Sequence, residues 1–430
     1  MIKKIVVSLC LLISFSALAQ EGTSTPYSFY GIGDIKFKGT IETRAMGGLN
    51  VFPDSIHINL QNPAHLASLK LTTFSIGGTY ANTKSKSETQ EEKSRRTAFD
   101  YLAVGIPLGK LGLSFGLIPY SSVGYKIQKI TYYTNNTAPF DTIRAVKANY
   151  QGIGGINKVF FGFGYKLNKN FNVGADIQYN FGTIETNNLT TQTGIQYGTR
   201  EINTSNAQGF NADFGLTYQA KINKKLSFFS SLTYSPESEL RLDNSREIQL
   251  TQEFADQSIR VIETEDVDVA NTTIKIPSKL SFGSGFGEVK KWLLGAEVTL
   301  LENSTMSNRF VDINGGIFEN SVRYSLGGYF IPNYNSYSKY YKRVTYRAGL
   351  RYENTGLVIT RPGYENKSIT DTAFNVGFGL PLGGSFSKIN IGLEMGRKGT
   401  IYNNLVEENY FNVSIGLSLS DKWFVKRKFD

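Results

Sequence analysis

The chain has 430 residues, a formal charge of +10, 43 Gly, 25 Tyr and 29 Phe, and only 19% charged residues. Two histidines and one cysteine exclude a Cys/His metal cluster and a Cys/His nucleophile pair, so the residues point to no enzyme and no cofactor. No Lys/Arg block suits nucleic acid; lipopolysaccharide or anionic lipid is the expected counter-charge for an exported protein.

Residues 1–19 read as a signal peptide. Lys3 and Lys4 form a positive start, Ile5 to Phe15 a short apolar core, and Ala17-Leu18-Ala19 a small-x-small cleavage site. The apolar run is shorter than the roughly 20 residues a membrane helix needs. Cys10 lies inside that core, so the mature chain, starting at Gln20, has no cysteine and no disulfide. Cleavage removes two lysines and leaves +8.

Residues 20–69 show no alternation. They carry Pro26-Tyr27-Ser28-Phe29-Tyr30-Gly31-Ile32-Gly33-Asp34, then Arg44-Ala45-Met46-Gly47-Gly48, then Asn62-Pro63-Ala64-His65-Leu66. Asn62 before Pro63 is a helix start, because the side chain caps free amides and proline at the first position loses no bond. A compact segment of this kind ahead of a barrel reads as a plug.

From residue 70 to 430 one unit repeats, a strand of about 10 to 16 residues with period-2 hydrophobicity. Val173, Ala175, Ile177 and Tyr179 alternate with Asn172, Gly174, Asp176 and Gln178; Phe411, Val413, Ile415, Leu417 and Leu419 alternate with Asn412, Ser414, Gly416 and Ser418. Strands of a soluble sandwich average five or six residues. The fold expected is therefore all-β, a 14-stranded antiparallel transmembrane barrel, with strands beginning near Lys70, Ala98, Leu111, Ala148, Phe171, Ala207, Lys225, Ile274, Lys291, Ser321, Lys342, Thr372, Ser387 and Tyr410. Closure follows from backbone physics, since an unpaired amide in hydrocarbon costs several kcal/mol.

Connections alternate between short turns, such as Leu108-Gly109-Lys110 and Asn223-Lys224, and long polar stretches. The long ones, Lys84 to Arg96, Gln128 to Lys147, Asn187 to Asn206 and Pro236 to Asn271, read as outer loops. Ile331 to Tyr341 is long for the short-turn side, by a miscounted edge or a real insertion. An even strand count is expected to leave both termini in the periplasm. Trp292 and Trp423 suit interface girdles, and Gly283-Ser284-Gly285-Phe286-Gly287 reads as lumen-facing glycines that leave room for the plug.

The Gly47-Gly48 pair, Asp54, and Asn62-Pro63-Ala64 just before the first strand resemble the hatch of the FadL/TodX family of outer-membrane hydrophobic-compound transporters. The opening Pro-Tyr-Ser-Phe-Tyr-Gly-Ile-Gly-Asp and closing Trp423-Phe424-Val425-Lys426-Arg427-Lys428 resemble the branch found in Bacteroidota. The resemblance implies a hatch, a small hydrophobic or amphipathic ligand similar to a fatty acid, and a sideways exit where the third strand kinks. Ile118, Pro119, Tyr120, Ser121, Ser122 and Gly124 are the candidate kink, because proline removes a ladder donor; the alternative is that Pro119 marks the strand's outer end. Candidate lumen residues are Arg343, Arg347, Arg351, Asp176, Asp213, Glu297 and Glu394. The arginines either bind an anionic headgroup or pair with carboxylates across the lumen. A second reading is a non-transporting scaffold barrel in an outer-membrane secretion or assembly complex, whose partners are other outer-membrane proteins. A continuous apolar pocket between plug and third strand favours transport, and a packed polar lumen favours scaffolding.

Overall fold

The computed structural model describes residues 22–422 apart from 136–141, 255–257, 311–312, 314, 362 and 384–385. The expected signal peptide and the closing motif at Trp423 lie outside the described residues.

The segment before the barrel, called the hatch below for its position alone, comes first: a 3₁₀ turn at Pro26–Phe29, a two-residue strand β1 (Asp34–Ile35), a single helical turn α1 (Ile41–Arg44) and a 3₁₀ helix at Pro63–Ser68. Then follow β2 (Thr72–Lys86), β3 (Glu91–Leu108), β4 (Leu111–Asn135), β5 (Thr142–Lys166), β6 (Phe171–Gln192), β7 (Tyr197–Lys221) and β8 (Leu226–Ser235). Next come β9 (Ser238–Glu253), β10 (Ile259–Val267), β11 (Thr272–Ile276), β12 (Lys279–Glu288), β13 (Trp292–Leu301), β14 (Gly316–Phe318) and β15 (Ser321–Phe330). The chain ends on β16 (Thr345–Ile359), β17 (Lys367–Pro381), β18 (Lys388–Gly399) and β19 (Glu407–Asp421).

Fourteen of these strands form a closed antiparallel wall: β2 to β8, β12, β13 and β15 to β19. Closure runs along the whole of β19 against β2, from Glu407↔Lys86 to Asp421↔Thr72. Alternation places Asp176, Gln178 and Asn180 inward and buried on β6, with Ile177 outward and exposed. Ser414, Ser418 and Ser420 face inward on β19 while Ile415 and Leu419 face out. The eighth wall strand is β12, because Ile274 lies in the separate segment β11, which pairs with β9.

The long connections are not loops. β4, β5 and β7 each run 25 residues, where a tilted span needs about 9–11. On β5 the outward Val159, Phe161, Phe163 and Tyr165 are exposed apolar residues, so the lipid band lies near the short-turn end. Above it the ladder continues unbroken, to Asn135↔Thr142 between β4 and β5 and Thr190↔Thr199 between β6 and β7. β9 takes over from β8 as the upper partner of β7, and β10 pairs along β9. Lys84 to Arg96 likewise continues β2 and β3, with Lys84 and Glu91 paired at 2.8 Å. Alternation of hydrophobicity fades there because the inner face buries polar residues such as Thr186, Asn203 and Ser205 while the outer face is wet, and backbone pairing persists.

Residues 331–344 are a real insertion at the short-turn end, with a 3₁₀ turn at Tyr340–Lys342. The C-terminal strand also ends at that side, at Asp421↔Thr72. The first described residues do not: Ser24 Oγ lies 2.6 Å from Ser94 Oγ, and Ser94 pairs with Thr83, up the wall towards the long-strand end. The expectation of both termini on the short-turn side therefore fits the C-terminal strand, not residues 22–25.

Candidate functional site: the hatch, the wall and the seam between them

The hatch has no core of its own. Its apolar residues pack on inward wall residues: Ile41, Ile58, Leu60, Leu66 and Leu69 with Tyr101, Ala103, Ile118 and Phe160. Met46, Leu49 and Val51 pack with Phe229 and Leu293. Val51 and Phe52 occupy the space left by Gly283 and Gly285, the role expected of those glycines.

Two motif glycines shape the middle of the hatch. Gly47 and Gly48 have φ of +72° and +87°, which glycine adopts without penalty, and they end α1 in a tight turn. A side chain on Gly47 would meet the backbone of Leu350, and one on Gly349 would meet the backbone of Met46 and Gly47. At the third motif, Asn62 Oδ1 accepts from Ala64 N at 2.9 Å, capping the 3₁₀ helix that opens at Pro63. Asn62 Nδ2 donates to Ser231 Oγ at 2.9 Å and to the Leu232 carbonyl at 3.1 Å, so one residue both caps the hatch and ties it to β8.

Charge fixes the rest. Asp176 and Asp213 stand directly opposite one another on β6 and β7; like charges so placed repel. Lys38 of the hatch donates to both, at 3.5 Å to Asp176 and in a shorter contact to Asp213. Burial alone depresses the Lys38 pKa, but the two carboxylates outweigh it and raise the value above the usual lysine range. Arg44 makes a forked contact to Asp100 on β3, at 3.2 and 3.3 Å. Asp34 meets Lys398 of β18 at 2.6 Å, and despite burial the lysines hold its carboxyl well below the usual range. Glu297 accepts the Asn50 amide at 2.9 Å, and Glu42 accepts from Asn390 at 2.7 Å and Ser418 at 3.1 Å.

The predicted arginines divide. Arg351 donates to Asp371 at 2.9 Å, Glu394 at 3.2 Å and Tyr410 at 3.1 Å, the carboxylate-pairing alternative. Arg347 is buried and donates to Asn390 at 3.2 Å. Arg343 is not on the strand, since β16 starts at Thr345; it follows the 3₁₀ turn in the insertion and stacks over Tyr340.

Both histidines are buried in hatch networks. His57 Nδ1 donates to Asp54 at 2.7 Å. Burial pushes Asp54 up, yet His57 outweighs it and the carboxyl falls below the ordinary range. His65 Nε2 donates to the Asn50 carbonyl at 3.1 Å, and burial lowers its pKa to about 4. Among the described residues no group of His, Cys, Asp and Glu is arranged to hold a metal.

The wall itself has an opening. β3 and β4 pair only from Leu108↔Leu111 to Leu102↔Leu117, then part. β4 continues to Asn135 on β5, with a register shift between Pro119 and Ser121 that leaves Tyr120 as an extra residue. Pro119 therefore marks a bulge within the strand and not its end, and Ile118, Pro119, Tyr120, Ser121, Ser122 and Gly124 stand at the seam. The hatch fills its lower part: β1 pairs Asp34↔Ser122 and Ile35↔Ser121, Lys36 N donates to the Tyr120 carbonyl, and Ser28 Oγ receives the Gly124 amide. Behind the bulge lies a cavity of about 240 Å³, lined by apolar Ile118, Pro119 and Tyr120 and by charged Lys158, Lys279 and Arg323.

A protein-family model described as BamG matches residues 1–430. The chain belongs to the BamG family. No curated protein matches it. Solved structures share the fold of this BamG-family barrel at low identity. The Pseudomonas putida toluene transporter TodX is 16% identical with TM-score 0.56, covering 91% of this chain and 100% of its own. The Ralstonia pickettii toluene transporter TbuX is 14% identical with TM-score 0.56, covering 90% and 99%. A Pseudomonas aeruginosa FadL homologue is 12% identical with TM-score 0.53, covering 90% and 98%. The BamG-family chain thus shares the FadL/TodX fold.

Proposed function

We propose that this chain is an outer-membrane barrel of the FadL/TodX fold whose hatch is locked, and that it serves as a docking subunit in an outer-membrane complex rather than as an open conduit. The observation that carries this reading is the charged, hydrogen-bonded lining between hatch and wall. Lys38, Arg44 and Asp34 each bind a wall group on a different side of the lumen. These pairs are partly buried, and removing one partner strands a largely desolvated charge, at a cost of up to several kcal/mol. A route for a hydrocarbon needs a continuous apolar track, and the cavity behind the seam interleaves Ile118, Phe37 and Leu301 with charges of both signs, Lys158, Lys279, Asp213 and Glu297.

A second reading has its own support. The bulge at Pro119, the parted β3 and β4, and the cavity together suit passage of a small amphipathic molecule with an anionic group, leaving sideways through the seam. Outer-membrane lipid and lipopolysaccharide surround the barrel on either reading.

The test is purification of the tagged chain from native membranes, with small molecules and proteins both identified. Stoichiometric protein partners without bound lipid-like compounds support docking; a small amphipathic ligand without a protein partner overturns it. In planar bilayers the intact chain is expected to conduct little, and deletion of residues 22–69 to raise the current sharply. High current through the intact chain contradicts a locked hatch.

A further inference from the structure

Above the lipid band, β4, β5, β6, β7, β9 and β10 form an open sheet with two edges, one on β10 and one on the upper half of β4. An edge strand is a template for another strand unless it is blunted by charge, bulge or cover. The β10 edge is blunted: Glu263, Glu265 and Asp266 line it, and its register shifts between Val261 and Glu263. The β4 edge differs. From Ser121 to Asn135 it keeps unbroken register on β5, with no proline and no bulge. β3 has left it by Leu117, and β1 covers only Ser121 and Ser122. Ile127, Ile130, Tyr132 and Tyr133 are 37%, 47%, 68% and 57% exposed there, an apolar and aromatic set in open solvent.

The charge on this edge has one sign. Lys126 and Lys129 lie on it, and Arg144 and Lys147 lie alongside on β5, opposite Tyr133 and Ile130. Among the described residues none of these four has a carboxylate within ion-pair distance, and none is otherwise engaged. The protein itself shows what the edge accepts. Immediately below, the hatch adds its own antiparallel strand to β4, and the residue it pairs with Ser122 is the acidic Asp34.

We propose that the β4 edge over residues 126–135 is a strand-addition site for an extended, acidic segment of another cell-surface protein. Main-chain hydrogen bonds supply the pairing, the exposed Ile and Tyr side chains pack against alternate residues of the incoming strand, and the lysines select acid. This inference rests on the docking reading and names the partner's chemistry.

The experiment places a photo-crosslinking residue at Tyr132 in the full-length chain in native membranes, with a control at Val261 on the β10 edge. The cross-linked peptide is then identified by mass spectrometry. The expected result is one net-acidic peptide from a different protein, captured from Tyr132 and not from Val261. Its yield should fall at least tenfold in Lys126→Glu/Lys129→Glu, a pair of exposed substitutions that leave the barrel's resistance to heat and protease unchanged. Three results overturn the site: no peptide adduct at Tyr132, an adduct to the chain's own Glu263–Asp266 segment in a second copy, or a yield indifferent to the charge reversal. Purification of the unsubstituted chain separates the two ideas. A stoichiometric partner retained in the charge-reversed variant removes this site and leaves the docking reading standing. A chain with no partner at all removes both.

Discussion

The lower and upper halves of the wall are built from the same strands and held by different means. Below, inside the lipid band, wall side chains turn inward onto the hatch, and Lys38 and Arg44, partly buried, pair with wall carboxylates. Above, from about Gly154 on β5 upward, the inner face first closes over an apolar cluster that includes Val123, Tyr125 and Ile184 with Ile32 of the hatch, while the outer face is wet and carries exposed pairs such as Thr183 with Asn206 at 2.8 Å. The contrast teaches where cooperativity should reside. Side chains of the lower half share partners across hatch and wall, so one substitution strands several groups; those on the outer face of the upper half can be replaced by water.

The sharpest way to break that contrast is Lys38→Met. It leaves Asp176 and Asp213 facing each other, buried, without the cation in contact with both, Lys158 and Lys279 acting only from further off. The expected cost is about 3–5 kcal/mol, seen as protease entry into the hatch and current in bilayers. Lys38→Met/Asp213→Asn should recover part of it. An unchanged hatch in the single variant breaks the claim that charge locks it.

Acid is the next largest perturbation. His65 is held near a pKa of about 4 against an ordinary 6.5, so its neutral form is the folded one. Its contribution is present above pH 6.5 and is lost as pH falls from 6.5 through 4, because the unfolded or released hatch binds the proton more tightly. Hatch release should rise across that window, on the order of 3 kcal/mol by its end. His65→Gln should remove that part of the pH dependence and leave the steps below pH 4, where Asp34 and Asp54 protonate. A pH profile identical in His65→Gln assigns the titration elsewhere.

Gly349→Val tests packing without charge. The new side chain meets the backbone of Met46 and Gly47, which cannot step aside as a flexible side chain would. Overpacking of this kind costs about 1–3 kcal/mol, and a lowered thermal midpoint of the hatch, with the wall's own midpoint retained, is the expected reading.

Much of the lower half is legible in the chain. The alternation of Val173 to Tyr179 and of Phe411 to Leu419 states which face meets lipid, because there the two faces meet different solvents. Asn62-Pro63 states its cap directly. The upper half is not legible as sheet: Asn187 to Asn206 alternates between polar and polar, because the inner face buries polar residues such as Asn203 and Ser205, so periodicity carries no signal and the stretch reads as loop. Lys38 is hidden for another reason. It sits in the irregular run Lys36-Phe37-Lys38-Gly39, and nothing local distinguishes it from a solvated lysine. Its partners are hidden too: the register that sets Asp176 opposite Asp213, two like charges that call for a cation, runs through the tall continuation of β6 and β7 that reads as a loop. Arg343 failed in the opposite direction, because a spacing of four from Arg347 suggested one strand face, while the chain before Thr345 is an insertion.

The smallest effect expected belongs to the upper sheet. Thr183→Ala removes an exposed hydroxyl that donates to Asn206 across β6 and β7. Water replaces the hydroxyl as partner for Asn206, no cavity forms, and the ladder at this position is main-chain, so the change should stay within about 0.5 kcal/mol. Measured beside Lys38→Met by the same protease and thermal assays, it should leave both readings at the level of the unsubstituted chain. If Thr183→Ala instead loosens the hatch, the upper sheet and the lower wall act as one cooperative unit. The tall strands would then be part of the lock rather than a platform standing above it.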